Sequence, residues 1–198
     1  GRSLKATIPT VEQVLAVDSG DDDDFERVLL SGTARVEPPA DASQGPATPD
    51  ELAVLMFTSG TTGEPKGVMH NCQSLVACVR GLAARFGLDE DDVLLACSPV
   101  GHMTGYAAVM LQGLCLGCTV VLQDVWEPKR GVAIMAAEGV THTAASTPFL
   151  HDISEAVAAG GPKPRLTTFL CGGAPIPPVQ IERALRELHL PVSSLWGM

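Results

Sequence analysis

The sequence is poor in positive charge, in aromatic side chains and in long apolar runs, and each shortage argues against a class of function. Lys and Arg number 13 against 23 Asp and Glu, a net charge of −10. A surface of that sign repels phosphate backbones, so no nucleic-acid partner is expected. No apolar stretch approaches the length of a membrane span, and the N-terminus lacks the charged-then-apolar pattern of a signal peptide. A cytoplasmic protein without an integral membrane segment is the expectation. Cysteines stand at 72, 78, 97, 115, 118 and 171. Cys115 and Cys118 have a zinc-like gap, yet no second pair of ligands is spaced to complete a site, so no metal ligands are assigned. Most of the cysteines lie in apolar stretches and are expected in the core. Aromatics make up only 4 %, whereas Gly (20) and Pro (15) are frequent, which predicts tight connections between short elements.

What is present is globular: 45 % apolar and 18 % charged residues over 198 positions, enough for one compact domain spanning 1–198. Val11 to Val17 alternates and reads as a strand. Asp21 to Asp24 reads as a solvated helix start, and residues 36–50, rich in Pro, Ala, Ser and Gly, as a surface loop. Beyond that point apolar strand-like runs alternate with helical patterns. Strands are expected at Ala53–Thr58, Asp92–Cys97, Thr119–Gln123, Thr141–Ala145, Leu166–Cys171 and Val192–Trp196. Helices are expected from about 70 to 86, at Thr104–Cys115 before Gly117, and at Pro128–Glu138, Pro148–Ala159 and Pro178–Leu188. The alternation predicts an α/β fold, a largely parallel sheet flanked by helices. Ligands of such sheets bind beyond the C-terminal strand ends, and the chemically notable residues cluster there.

The first cluster is Thr58-Ser59-Gly60-Thr61-Thr62-Gly63-Glu64-Pro65-Lys66-Gly67-Val68. Glycines let backbone N–H groups approach phosphate oxygens, hydroxyls add donors, and Lys66 adds charge. A plain flexible turn does not account for that combination. It is not a Walker loop, because Lys66 is followed by Gly67 rather than by a hydroxyl residue that could hold Mg²⁺. A P-loop phosphotransferase is accordingly disfavoured.

This stretch closely resembles the signature loop of the adenylate-forming superfamily, which includes acyl-CoA synthetases, adenylation domains of peptide synthetases and luciferases. Ser98-Pro99-Val100-Gly101-His102-Met103-Thr104-Gly105 is similar to the family's second motif. Cys171-Gly172-Gly173-Ala174-Pro175 and Leu195-Trp196-Gly197-Met198 are similar to the two halves of a third. The resemblance runs from about residue 10 to the last and implies a subdomain of the large N-terminal domain. Gly63–His70, Gln123–Trp126, Ser146–Phe149 and Trp196–Met198 look most like cyclohexanecarboxylate-type and short- or medium-chain acyl-CoA ligases.

The resemblance implies roles. Thr58, Ser59, Gly60, Thr61, Thr62, Gly63 and Lys66 would hold the polyphosphate of ATP. His102, Thr104, Gly105 and Gly173 would border the acyl site, with Lys66 and His102 as catalytic candidates. Gly172, Gly173, Ala174, Pro175, Trp196, Gly197 and Met198 would meet the nucleotide. Read alone, His102 could equally cap a helix or sit in a core, and Gly172-Gly173 could be an ordinary loop. In relatives Thr and Glu follow the position of Met198, the Glu holding Mg²⁺, and an Asp and a Lys come later. Their absence leads to the expectation of an excised middle piece, inactive alone, of an enzyme using ATP, Mg²⁺ and coenzyme A on a small-molecule carboxylic acid. Loading of a carrier protein and non-catalytic nucleotide binding stay open as alternatives, as do the acid and the oligomeric state.

Overall fold

The computed structural model describes residues 48–58, 63–123 and 125–197. The chain divides into two units, 1–47 and 48–198, and all described residues belong to the second. The expected strand at Val11–Val17, the run Asp21–Asp24 and positions 36–47 of the expected loop lie outside the described residues. So do Ser59, Gly60, Thr61, Thr62, Asp124 and Met198.

β1 (Leu52–Thr58) and β2 (Lys66–Asn71) form an antiparallel two-stranded sheet of their own. Leu55 pairs with Met69, Phe57 with Gly67 and Thr58 with Lys66. This corrects one expectation and adds an element. β1 is not a strand of the parallel sheet, and a strand that the sequence did not announce precedes the helix, which begins within two residues of the expected 70 and ends at the expected 86. A strand occupies 66–71, and α1 (Cys72–Phe86) starts only where the extended Asn71 accepts the Ser74 N–H at 2.8 Å. Asn71 is an N-cap, the local signal that marks the true boundary. At its far end α1 stops at Gly87, whose φ of 66° suits a residue without Cβ.

The five-stranded sheet is parallel throughout and comprises β3 (Val93–Ala96), β4 (Thr119–Leu122), β5 (His142–Ala145), β6 (Thr168–Gly172) and β7 (Val192–Leu195), in the order β4-β3-β5-β6-β7. Strand residues alternate between its faces, and both faces are covered. Leu95, Ala145, Phe169 and Cys171 pack on α4 (Pro128–Ala137), α5 (Thr147–Ala158) and α6 (Pro178–Leu188) through Val132, Met135, Leu150, Ile153, Ala184 and Leu188. Leu94, Ala96, Ala144 and Leu170 pack on Ala108 and Val109, with Leu82 and Phe86 of α1 against them. The helical stretch after β3 runs as α2 (Met103–Gly105), a π-helical segment (Tyr106–Leu111) and α3 (Gln112–Leu116), closed by Gly117 at φ 75°.

The strand order carries the functional consequence. From β3 the chain crosses to the edge strand β4 over one face; from β4 it returns past β3 to β5 through α4 on the other. The segments leaving β3 and β5 therefore part to opposite faces, and a crevice opens beyond their carboxyl ends, as at the switch points of doubly wound sheets. Only Cys97 and Cys171 of the six cysteines are buried; Cys78 and Cys115 are exposed, which corrects the expectation of a general core role. No helix among the described residues is long and apolar enough to cross a membrane.

Candidate active site

A cleft of about 230 Å³ lies in that crevice. Ser98, Pro99, His102 and Thr104 reach it from beyond β3, Ser146 and Phe149 from beyond β5, and Gly172 and Gly173 from the end of β6. Of the residues singled out in the sequence, His102, Thr104, Gly172 and Gly173 thus meet. Gly105 is buried behind them: a Cβ there would stand 2.3 Å from the Pro99 carbonyl oxygen and 2.6 Å from that of Ser98. Its lack of a side chain lets α2 press against the loop that carries the wall. Ala174 and Pro175 follow as an exposed turn, and Trp196 and Gly197 are exposed beyond β7. Thr58, Gly63 and Lys66 belong to the hairpin and its loop and are not among the cleft's described walls. Thr58 and Lys66 face each other across the ladder, with the Thr58 hydroxyl 3.4 Å from the Lys66 carbonyl oxygen.

His102 does two things at once. Its backbone is extended, its N–H donates to the Pro99 carbonyl at 3.0 Å, and its Nδ1 accepts the Thr104 N–H at 3.2 Å. It caps α2 and lines the cleft together. With Nδ1 committed to the cap, Nε2 is the ring nitrogen open to a ligand, and in the neutral ring it carries the proton.

The β5 and β6 ends are tied by Thr147, whose hydroxyl donates to the Pro175 carbonyl at 3.1 Å and lies 3.5 Å from that of Ala174. Gly172 has no room for a side chain, since a Cβ would come within 2.4 Å of the Leu195 carbonyl oxygen; Gly173 holds φ at 78°. Both glycines are thus required by the backbone, and both present main chain to the cleft.

Beneath the walls are two thiols. Burial pushes Cys97 up to about 11, against the Thr143 hydroxyl that opposes the rise. Burial also raises Cys171, with the Thr147 hydroxyl opposing. Neither provides a thiolate nucleophile near neutrality. The site is one for binding, orienting and polarising a ligand. Ser98, Pro99, Ser146 and Phe149 had no individual role assigned from sequence, although Ser98 and Pro99 lie in the second motif; the position of all four just past strand ends was the available signal.

The chain matches the family described as AMP-binding enzyme over residues 2–198. It is 33% identical over 149 residues to the medium-chain fatty-acid–CoA ligase of Escherichia coli, covering 75% of this chain and 26% of that one. To the 2-succinylbenzoate–CoA ligase of Enterococcus faecalis it is 29% identical over 155 residues, covering 78% and 32%. Among solved structures, the O-succinylbenzoate coenzyme A synthetase of Bacillus subtilis, in complex with ATP and magnesium ion, superposes with a TM-score of 0.66 at 30% identity, over 73% of this chain and 30% of that one. The chain spans between 26% and 32% of the length of these curated relatives. Family match, parallel α/β sheet and a cleft at its switch point agree: the chain belongs to the AMP-binding enzymes, the adenylate-forming superfamily.

Proposed function

We propose that this chain supplies the acid-binding cleft and part of the nucleotide site of an AMP-forming acid–thiol ligase. The observation that carries this reading is the convergence of three strand ends on one cleft walled by His102 and the Gly172–Gly173 main chain. In the overall reaction a carboxylate oxygen bonds to the α-phosphorus of ATP and pyrophosphate leaves. The thiol sulfur of coenzyme A then bonds to the acyl carbonyl carbon and AMP leaves.

The chain's own contribution is positioning. His102 donates from Nε2 to the acid's carboxylate, while the Thr104 N–H fixes its ring. Thr104 and Gly173 complete the acid's surroundings, and Gly105 acts from behind by seating α2. Gly172, Gly173, Ala174 and Pro175 lie along the nucleotide, with Trp196 and Gly197 beside it. Thr58, Gly63 and Lys66 take the polyphosphate, together with Ser59–Thr62 between them. Gly63 suits this, having a φ of 93° and nothing within 4 Å of a Cβ position, so main-chain N–H groups could approach an anion. Lys66 lowers the barrier by its charge. Among the described residues no group of three or more His, Cys, Asp or Glu could hold a metal ion.

Calorimetry with a non-hydrolysable acyl-sulfamoyl adenosine tests the reading. Saturable binding to the chain is expected, and failure of the analogue and of ATP to bind would overturn it. In the longer protein, Lys66→Ala is expected to slow pyrophosphate release at saturating acid; an unchanged rate would remove Lys66 from the phosphate site.

A further inference from the structure

Phe149 stands in the first turn of α5 and is an aromatic wall of the cleft. What holds it there comes from outside. Trp126, in the connection between β4 and α4, meets its ring edge-to-face, with centroids 5.2 Å apart and planes at 68°. Trp126 itself is not among the cleft's walls.

The indole is fixed from several sides. Its Nε1–H donates to Asp152 Oδ2 at 2.8 Å. Asp152 lies three residues after Phe149 on α5, so the two side chains project from neighbouring positions on one helix face, and Trp126 bridges both. Beneath the indole is Gly131 of α4, where a Cβ would stand 2.7 Å from Cζ3 and 2.8 Å from Cη2. The backbone on either side is clamped by Gln123, whose Nε2 donates to the carbonyls of Val125 at 3.1 Å and Glu127 at 3.3 Å. Glu127 then caps α4 by accepting the N–H groups of Lys129 and Arg130. An aromatic ring has few rotors to immobilise and gains from edge-to-face contact, so this frame gives Phe149 one position.

We infer that Trp126, held by Asp152 and seated on Gly131, is a positioning residue that sets Phe149 as the depth stop of the acyl subsite, making the protein selective for compact, apolar carboxylic acids. The inference rests on the acid-binding reading of the cleft. The size agrees with it: about 230 Å³ falls below the roughly 300 Å³ at which pockets for drug-sized ligands begin. A wall fixed from behind rejects a longer chain, whereas a loose one swings aside.

The experiment compares acetyl-, butyryl-, hexanoyl- and octanoyl-sulfamoyl adenosine by calorimetry, with AMP as the control ligand. The chain as it stands should favour the shorter acyl groups. Phe149→Ala should lower that preference about tenfold, the scale on which an apolar pocket discriminates chain length. Trp126→Ala and Gly131→Ala should lower it similarly while leaving AMP affinity unchanged. Asp152→Ala should do so in part, and Asp152→Asn, which keeps an acceptor for the indole N–H, should restore it. A merely structural role would weaken all ligands together and leave the preference intact. Should Trp126→Ala fail to fold, Gly131→Ala and the Asp152 pair decide. An unchanged preference in the folded Trp126, Gly131 and Asp152→Ala variants, with Phe149→Ala altering it, overturns the brace and spares the cleft. Unchanged preference in Phe149→Ala overturns the depth stop. Failure of every analogue to bind the unsubstituted chain sinks the acid-binding reading and this inference together.

Discussion

At the scale of single residues, two histidines show how environment assigns a role. His102 is exposed at the cleft and caps a helix through Nδ1. Substitution by Asn keeps a capping oxygen and loses the outward N–H. His102→Asn is therefore expected to hold its Tm while binding the acyl-adenylate analogue at least about tenfold less tightly; His102→Ala should also lose about 1 kcal/mol of stability with the cap. Paired thermal melts and calorimetry separate the two effects. His142, at the start of β5, is wholly buried, and neither ring nitrogen has a hydrogen-bond partner among the described residues. Burial pushes it from 6.5 down to about 4, with the Asp92 carboxylate opposing. Between those values the unfolded chain takes up a proton that the folded one refuses. Stability thus rises with pH across the window, is complete above 6.5 and is lost toward 4. The amount is on the order of 3 kcal/mol. Melting curves across that window should show the loss, and His142→Met should flatten it. Whether a histidine is a site or a core residue was open in the sequence, because the residue type is the same and only burial and partners differ.

At the scale of elements, the glycines and caps carry the geometry. Gly172→Ala places a methyl group 2.4 Å from the Leu195 carbonyl oxygen, so the end of β6 must move from β7. A loss of about 1–3 kcal/mol is expected, measured by denaturant unfolding, together with weaker analogue binding. Thr147→Val removes the hydroxyl that ties α5 to the 174–175 turn. Faster amide exchange in that turn is expected, at a cost of about 1 kcal/mol. Most element positions were legible because apolar runs and Gly or Pro punctuation mark them, as at Pro178–Leu188. The strand Lys66–Asn71 was not. Its apolar residues merge with those of the helix that follows, and only Asn71 signals the break. The π-helical stretch Tyr106–Leu111 has no local signature either, since it depends on how the helix fits the sheet.

At the scale of the whole molecule, the parallel sheet and the hairpin differ in protection. Leu94, Leu95, Ala144 and Leu170 are almost completely inaccessible, whereas Leu55, Phe57 and Met69 on one hairpin face are exposed. Amide exchange read by mass spectrometry should be slowest in β3, β5 and β6 and faster in β1 and β2; equal rates would contradict this ranking of the two sheets. The sequence by itself determined the α/β alternation, the run of Gly and hydroxyl residues at 58–68 and the Gly172–Gly173 pair at the end of β6, because hydrophobic period and backbone permissiveness are local properties. Tertiary structure alone decided that β3 lies between β4 and β5. That order makes the switch point, and it joins His102, Phe149 and Gly173 in one cleft with Trp126 behind the wall. These residues are far apart along the chain, and which strand ends become neighbours depends on sheet pairing and the handedness of crossovers, which no short segment encodes.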